Sequence, residues 1–288
     1  MRSREQIVQR IFESQDANGF WKILAASHRN YPVCLHYVPA YKASIWTLIL
    51  LADIGHDRND ERIKKPLCEI TRHFFDPVHQ IFCLGKDHFP IPCLNGNMIY
   101  LDCYFNGRPG EESLRALDFF YRHQRFDDGS YLNGKNEFCS NTSCYGKHTC
   151  YWGVVKLLKG ISFIPKALRT DAVNRLMEKC IRFILLHRVC YSSHRKDKIM
   201  IKGMDQLSFP NMYKSDFLEI LWLLRREHVR SEQLFPAIEM LKSKRLPSDE
   251  WNLERKISNM TASVGEINTP NSFITQRAAE VLDFYSGF

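Results

Sequence analysis

The chain has 288 residues, of which 44% are hydrophobic, 25% are charged and 12% are aromatic. This composition is usual for a globular protein, and it excludes a disordered, collagen-like or low-complexity chain. The 40 Lys and Arg residues outnumber the 32 Asp and Glu residues, which gives a formal net charge of +8. Because the basic residues are scattered along the chain, they favour a solvated surface, and we expect no nucleic-acid partner.

The sequence shows no targeting segment or membrane-spanning segment. Residues 1–6 lead directly into an amphipathic helical pattern, without the apolar run of a signal peptide. The longest apolar run, residues 45–52, is far shorter than the roughly 20 residues that a membrane span needs. We therefore expect a cytoplasmic protein, with peripheral membrane contact as an option. Its ten cysteines are expected to be reduced, with or without a bound metal.

Helical hydrophobic spacing runs through nearly the whole chain, and two kinds of helix alternate along it. Helices with one apolar face are predicted near residues 3–14, 60–75, 111–124, 169–188 and 231–245. Helices that are apolar around more of their circumference are predicted near residues 41–54, 96–106, 146–160, 214–227 and 272–286. Helices of the second kind are expected in the interior, above all residues 45–51 and 217–224. The one candidate strand, residues 199–201, is short.

These helices form about five hairpins, which recur at intervals of about 50–60 residues. Self-similarity at a regular interval predicts a repeat architecture. Alternating inner and outer helices would close into a ring around one continuous core. We therefore predict an all-α fold, an incomplete α/α toroid, in a single domain that spans residues 1–288.

A second repeated pattern follows three of the one-sided helices. It consists of a Gln, an Asn-Gly or Asp-Gly turn, and an aromatic residue. The copies contain Gln15, Gly19 and Trp21, then Gln124, Gly129 and Tyr131, and finally Trp251 without the Gln and Gly. The Gln amide can satisfy unpaired backbone groups at a helix end, and the Asn-Gly or Asp-Gly dipeptide favours a turn. The aromatic ring would then pack the turn against the next hairpin.

This pattern resembles the Gln-Trp repeat of the terpenoid cyclase and protein prenyltransferase superfamily, which includes the squalene-hopene cyclases. The resemblance implies an α/α toroid with a hydrophobic substrate, such as an isoprenoid, in its central cavity. The Asp-x-Asp-Asp acid motif of the class II cyclases is absent from this sequence, so class II cyclisation is not implied. Because one fold hosts many activities, it stays open whether the protein cyclises, transfers or only holds its ligand.

The starts of the inner helices would gather at one mouth of the ring. There we predict three acid–base candidates, because burial shifts carboxyl and imidazole pKa values toward neutral pH: Asp102, His148 and Asp216. The predicted substrate-binding residues are Tyr37, Tyr100, Trp152, Tyr213, Lys214 and Arg277. Their rings would hold an apolar body, while the cations and helix N-termini would favour an anionic head such as a diphosphate. The alternative is that Tyr37 and Trp152 are core residues and that Asp216 caps a helix.

Zinc is a further hypothesis, since thiolate and imidazole are ligands that zinc prefers. Asp102, Cys103 and His148 occur in the order of the zinc ligands of the prenyltransferase β subunits, although Asp and Cys are adjacent here. Cys144 and Cys150 also lie near His148 in the sequence. The spacing lacks the Cys-x-x-Cys of a structural zinc motif, and buried cysteines often bind nothing.

Two other functions are compatible with a ring of helices. An α/α-barrel carbohydrate enzyme would need two carboxylates about 5–10 Å apart across an aromatic-lined groove, and Asp102 and Asp216 are the candidates. A non-catalytic binding or scaffold protein would keep the ring without the catalytic site.

Overall fold

A computed structural model describes residues 3–21, 41–84, 90–129, 144 and 148–287. This part of the chain is mostly helical, which confirms the predicted all-α class. Its α-helices are α1 (Arg4–Glu13), α2 (Ser44–Asp53), α3 (Glu61–Phe74), α4 (Pro92–Asn106), α5 (Glu111–His123), α6 (Tyr151–Ser162), α7 (Asp171–Leu186), α8 (Phe217–Arg226), α9 (Phe235–Ser243) and α10 (Ser272–Tyr285). Two short strands, β1 (Phe75–Asp76) and β2 (Ile81–Phe82), form an antiparallel hairpin between α3 and α4.

The helices alternate between half-exposed and deeply buried, as the apolar spacing predicts. Residues 45–51 of α2 are each at most 1% exposed, and residues 217–224 of α8 are buried except for Trp222. Helix α6 is buried along its length except for Trp152. Helix α10 differs from the prediction, because polar residues such as Gln276 and Glu280 leave it only one buried face.

The three buried helices after α2, together with α10 and its one buried face, pack side by side with α2 in chain order. Helix α2 contacts α4, α4 contacts α6, α6 contacts α8, and α8 contacts α10. The half-exposed helices cover this series, with α3 on α2, α5 on α4, α7 on α6 and α9 on α8. The core therefore lies between the buried helices and their outer partners.

Helices α4 and α6 approach each other most closely, because glycines face the contact. A Cβ atom at Gly96 would lie 2.2 Å from the backbone carbonyl of Lys156. A Cβ atom at Gly160 would lie 2.8 Å from the carbonyl oxygen of Gly96. The two backbones thus touch, and a larger residue at either glycine would push the helices apart.

The first Gln-aromatic turn has the predicted role of joining consecutive hairpins. The Gln15 amide donates to the carbonyl oxygens of Gly19 at 2.9 Å and of Arg62, in α3, at 3.1 Å. Gly19 has a positive φ of 87°, which glycine adopts without strain. In the second copy, the Gln124 amide donates to the adjacent Arg125 carbonyl instead. Tyr131 of this copy lies outside the described residues.

Residues 199–201 do not form the predicted strand. Only Ile199 pairs there, in an isolated bridge with Tyr191. The β1–β2 hairpin was not predicted, because strands of two residues are too short to show alternation. Within the described ranges, no helix has the length and apolar character needed to cross a membrane.

Candidate ligand-binding cavity

Charged side chains from four helices meet in the interior, in segments that are otherwise rich in apolar residues. This central charge cluster consists of Asp53 of α2, Lys156 and Lys159 of α6, Glu219 of α8 and Arg277 of α10. The Lys156 ammonium lies 2.7 Å from Glu219, and the Lys159 ammonium lies 2.8 Å from Asp53 and 3.0 Å from Glu219. The Arg277 guanidinium lies 3.6 Å from Asp53. Three cations and two carboxylates give this cluster a formal charge of +1.

Neutral partners complete the bonding of the cluster. The Tyr100 hydroxyl donates to Asp53 at 2.9 Å, and the Lys159 ammonium lies 4.2 Å from the centre of the Tyr100 ring. Asn211 accepts from the Lys156 ammonium at its backbone carbonyl and from Arg277 at its side-chain oxygen, at 2.9 and 3.2 Å. Pairing and hydrogen bonding of this kind let a protein tolerate charges that are removed from water.

The cluster keeps its carboxyl groups ionised. Burial alone would raise the pKa of Asp53, but Lys159 and Arg277 attract the charged form and hold that pKa below its ordinary value. Burial is likewise outweighed at Glu219, where Lys156 and Lys159 hold the pKa below its usual range. Burial lowers the pKa of Lys156 to about 8, against the attraction of Glu219. At neutral pH Asp53 is therefore an acceptor and not a proton donor.

A cavity of about 330 Å³ opens beside the cluster, towards the carboxyl-terminal halves of α2, α4 and α8. Asp53, Tyr100 and Arg277 belong to the cluster and also line the cavity. The aromatic residues of its wall are Tyr100, Tyr104, Phe163, Phe209, Trp222 and Phe273. Its other charged residues are Arg4, Arg226 and Glu280. The wall therefore combines aromatic surface with guanidinium groups.

Two of these arginines are held in place by the rings. The Arg226 guanidinium carbon lies 4.1 Å from the centre of the Phe163 ring and 5.0 Å from that of Trp222. The Arg277 guanidinium carbon lies 4.8 Å from the Phe209 ring and 4.7 Å from Trp222. Stacking of this kind orients a guanidinium while its edge keeps N–H donors for an anion.

Arg226 also has donor capacity to spare. Its Nη2 atom donates to the Ser162 carbonyl at 3.3 Å, which is the one hydrogen bond described for this guanidinium, and its buried Nε atom has no hydrogen-bond partner among the described residues. Neither Arg226 nor Arg4 pairs with a carboxylate in the described part of the chain. The one further acid of the wall, Glu280, is balanced by Arg225 at 3.1 Å. The cavity therefore favours an anionic group over a cationic one.

The predicted catalytic residues have other positions, and none of the three lines this cavity. The Asp102 carboxylate accepts from the Gly110 backbone and the Ser113 hydroxyl, each at 2.6 Å, and so joins α4 to α5. Asp216 is buried and caps α8, because its side chain accepts from the Glu219 backbone at 2.8 Å. Burial raises the pKa of Asp216, although its backbone N–H donors oppose this.

The predicted binding residues divide between two places. Tyr100 and Arg277 line the cavity. Trp152 and Tyr213 meet instead near the amino-terminal ends of α6 and α8, with ring centres 6.2 Å apart, and the Lys214 ammonium lies 5.2 Å from the Trp152 ring. Tyr37 lies outside the described residues.

The residues predicted to bind zinc do not fit one shared site. Asp102 is engaged in the α4–α5 turn, while burial, and then Asp102, raises the pKa of the Cys103 thiol. The His148 side chain is 69% exposed beside Asp128. Cys144 and Cys150 are in contact, and the hydrogen bond from Cys144 lowers the pKa of Cys150 to about 7. Among the described residues, no three His, Cys, Asp or Glu side chains lie in an arrangement that could hold a metal ion.

Sequence reasoning missed Asp53, Lys156, Lys159 and Glu219. The available signal was a charged residue inside a helix that is otherwise apolar all round, since such a charge needs a buried partner. No family model matches this chain, and neither does any curated protein or solved structure. What the cavity binds therefore has to be inferred from the geometry and charge of its lining residues.

Proposed function

We propose that this protein binds a hydrophobic ligand with an anionic group, such as an isoprenyl diphosphate, in the cavity. The observation that carries the proposal is a wall of six aromatic side chains on which Arg226 and Arg277 are stacked. The rings would contact the apolar body of the ligand. The guanidinium edges of Arg226 and Arg4 would bind its phosphate oxygens.

The same geometry supports binding of an anion more than stabilisation of a carbocation. Guanidinium groups already cover faces of Phe163, Phe209 and Trp222, which a carbocation would need. The ionised Asp53 cannot protonate an alkene at neutral pH. We therefore favour the ligand-binding step of a prenyltransferase-like or terpenoid cyclase-like protein, and its reaction stays a prediction.

We propose in addition that the helices form an incomplete α/α toroid of five hairpins. Two observations support this ring. The buried helices pack in chain order from α2 to α10. The first and last members of the series also meet through Asp53 and Arg277, 3.6 Å apart. The cavity beside this contact fits the central pocket that a ring of helices would enclose.

The rival functions have less support. Asp102 and Asp216 are each engaged in hydrogen bonds at a helix junction, which weakens the carbohydrate-enzyme hypothesis. An open cavity of about 330 Å³ favours a ligand-binding protein over a scaffold. The cytoplasmic location and the peripheral membrane contact stay predictions of the sequence.

The test is a fluorescence titration with a farnesyl diphosphate analogue that carries an anthraniloyl label. We expect saturable binding of this analogue. Unlabelled farnesyl diphosphate should displace it at lower concentration than farnesol or inorganic pyrophosphate does. Arg226→Gln should weaken binding about 10-fold or more, since a hydrogen bond to a charged group contributes about 1.5–3 kcal/mol.

The matched control is Arg230→Gln. The Arg230 guanidinium also stacks on a ring, 4.7 Å from the centre of Phe284, but it does not line the cavity. This variant should bind like the wild type. Absence of binding to folded wild-type protein, or equal binding by the Arg226→Gln variant, would refute the proposal.

A further inference from the structure

Three imidazole groups surround one carboxylate at a place that does not line the cavity. The Nε2 atom of His194 lies 3.3 Å from Oδ2 of Asp128. The Nδ1 atom of His148 and the Nε2 atom of His187 each lie 4.0 Å from Oδ1 of Asp128. These four residues are called the Asp128 cluster below. The Ser193 hydroxyl donates to the same carboxylate.

His187 has a lone pair that lacks a partner. Its side chain is 2% exposed, and its Nδ1 atom lies 3.2 Å from the carbonyl oxygen of Tyr191. Because a carbonyl can only accept, Nδ1 carries the proton and Nε2 carries the lone pair. This buried Nε2 atom has no hydrogen-bond partner among the described residues. A ring N–H bound to a backbone carbonyl is also the arrangement that orients histidines on metals.

The backbone holds two members of the cluster side by side. Asp128 and His148 pair in an isolated antiparallel bridge. Next to them, the Thr149 backbone donates to the Asp127 carbonyl at 3.2 Å, and the Asp127 backbone donates to the Thr149 hydroxyl at 3.0 Å. The following residue is Gly129, where a Cβ atom would lie 2.7 Å from the His148 ring. Glycine therefore leaves room for this imidazole.

One of the three nitrogen–oxygen distances in the Asp128 cluster matches a tetrahedral metal site, and two are wider. Donors about 2.0–2.1 Å from a tetrahedral ion lie roughly 3.3–3.4 Å from one another. The His194–Asp128 distance of 3.3 Å meets this value, whereas the two distances of 4.0 Å are wider. The cluster is thus too open to hold an ion as it stands. The His148 side chain is 69% exposed, so rotation of its ring can close one of the two wider distances. The other involves the buried His187 ring, so closing it requires a movement of the Asp128 side chain, which is 22% exposed.

We propose that Asp128, His148, His187 and His194 form a binding site for Zn²⁺. Three neutral imidazole nitrogens and one carboxylate match the ligand preference of zinc, whereas Mg²⁺ and Ca²⁺ prefer oxygen ligands. The ion would join the turn after α5, the residues before α6, the end of α7 and the loop that follows it. Of the zinc ligands predicted from the sequence, this set shares only His148.

The test is a zinc titration of protein that has been dialysed against a chelator, with a chromophoric chelator as the competitor. We expect one Zn²⁺ per chain, and at least 10-fold weaker binding in His148→Gln and in His194→Gln. Both side chains are exposed, so these variants should fold normally. His79→Gln is the matched control, because His79 is also an exposed imidazole that pairs with an aspartate, Asp76. It should bind zinc like the wild type.

Two further readouts address the geometry of the site. Replacement of Zn²⁺ by Co²⁺ should give the intense visible absorption of a tetrahedral site, and Asp128→Asn should change that spectrum. Zinc should raise the thermal midpoint of the wild type but not that of His194→Gln, because only the folded state holds the ligands together.

Failure to bind one equivalent, or equal affinity in the wild type and both exposed variants, would overturn the zinc site. Loss of zinc in His79→Gln to the same extent would identify non-specific surface binding and would also overturn it. No isoprenoid enters these measurements, so their outcome is independent of the proposed ligand.

Discussion

Trp21 and Trp251, in turns near opposite ends of the chain, make the same hydrogen bond. Each indole Nε1 donates at 2.8 Å to the carbonyl of the residue ten positions earlier, which is Ile11 for Trp21 and Leu241 for Trp251. Both acceptors lie in the outer helix that precedes the turn, α1 or α9. The indole therefore joins the turn to its own helix in both copies.

The two turns also contact the next buried helix in the same way. The Trp21 backbone N–H lies 3.1 Å from the Ser44 hydroxyl of α2, and the Trp251 N–H lies 3.0 Å from the Thr275 hydroxyl of α10. Asp249 has a positive φ of 62° at the position where the first copy has Gly19. The third copy has lost its Gln and Gly, yet it keeps the geometry of the first. The Trp therefore defines this repeat better than the Gln does.

The indole hydrogen bond gives a first prediction. Trp251→Phe should lower the free energy of unfolding by about 0.5–1.5 kcal/mol more than Trp152→Phe does, because only Trp251 loses a hydrogen bond. The Trp152 indole N–H is the matched control, since it has no hydrogen-bond partner among the described residues. Urea unfolding measures both variants. Equal losses would show that the indole bond does not stabilise the turn.

The central charge cluster gives a second prediction. Lys159→Met should lower the free energy of unfolding by about 3–5 kcal/mol, because it leaves Asp53 and Glu219 buried with fewer cations. The control is Lys242→Met, which removes an exposed lysine that pairs with Glu239 and should change stability by less than about 1 kcal/mol. Chemical denaturation of both variants is the measurement. A similar small loss in each would contradict the structural role given to Lys159.

The contact between α4 and α6 gives a third prediction. Gly96→Ala should destabilise the fold by about 1–3 kcal/mol or more, because the new methyl group would overlap the Lys156 backbone. Gly287→Ala is the control, since a Cβ atom there would have no neighbour within 4 Å. Thermal and urea unfolding would compare the two. A neutral Gly96→Ala would mean that α4 and α6 are not packed this closely.

The fourth prediction concerns acid. The folded-state pKa values of Asp53 and Glu219 lie below their ordinary values of 3.8 and 4.5. Their ionised forms therefore stabilise the fold above about pH 4.5, and this contribution is lost as the pH falls further. Asp216 has the opposite effect, since burial raises its pKa. Urea unfolding between pH 7 and pH 3 should therefore show a free energy of unfolding that decreases as the pH is lowered.

A double variant measures how much the central charge cluster contributes to this loss of stability in acid. Lys156→Met combined with Glu219→Gln removes one opposite pair, which lies 2.7 Å apart. Its stability should decline less steeply below pH 4.5 than that of the wild type. An identical slope would assign the acid sensitivity to other carboxyl groups.

The order and burial of most helices could be predicted from the sequence, because apolar spacing is a local property that reports how much of a helix faces the interior. Residues 45–51 and 217–224 show this best. The contacts that bring α2 and α10 together could not be read in the same way, since they join residues far apart in the chain. The Asp53–Arg277 contact is one of these.

The candidate site was predicted only in part, for a physical reason. Asp102 and Asp216 were expected in the cavity, but the start of a helix has unsatisfied backbone N–H groups of its own. Asp102, near the carboxyl-terminal end of α4, accepts from the backbone just before α5, and Asp216 accepts from that of α8. Tyr100 and Arg277 line the described cavity, which lies towards the carboxyl-terminal halves of α2, α4 and α8, and their role in binding a substrate stays a prediction. Arg226 was not predicted, because nothing in its local sequence distinguishes it from a surface arginine.

The positions of the Asp53 partners in the sequence have a consequence for synthesis of the chain. Every partner described for this carboxylate follows it in the sequence, from Tyr100 through Lys159 and Asn211 to Arg277. While a ribosome is still producing α8 and α9, the Asp53 charge lacks its partner from α10. Although α2 is made early, and Tyr100 and Lys159 precede α10, the environment of Asp53 is therefore complete only once α10 has been made. A nascent chain that ends before α10 should consequently leave the Asp53 end of α2 more open to chaperones and proteases than the full chain does.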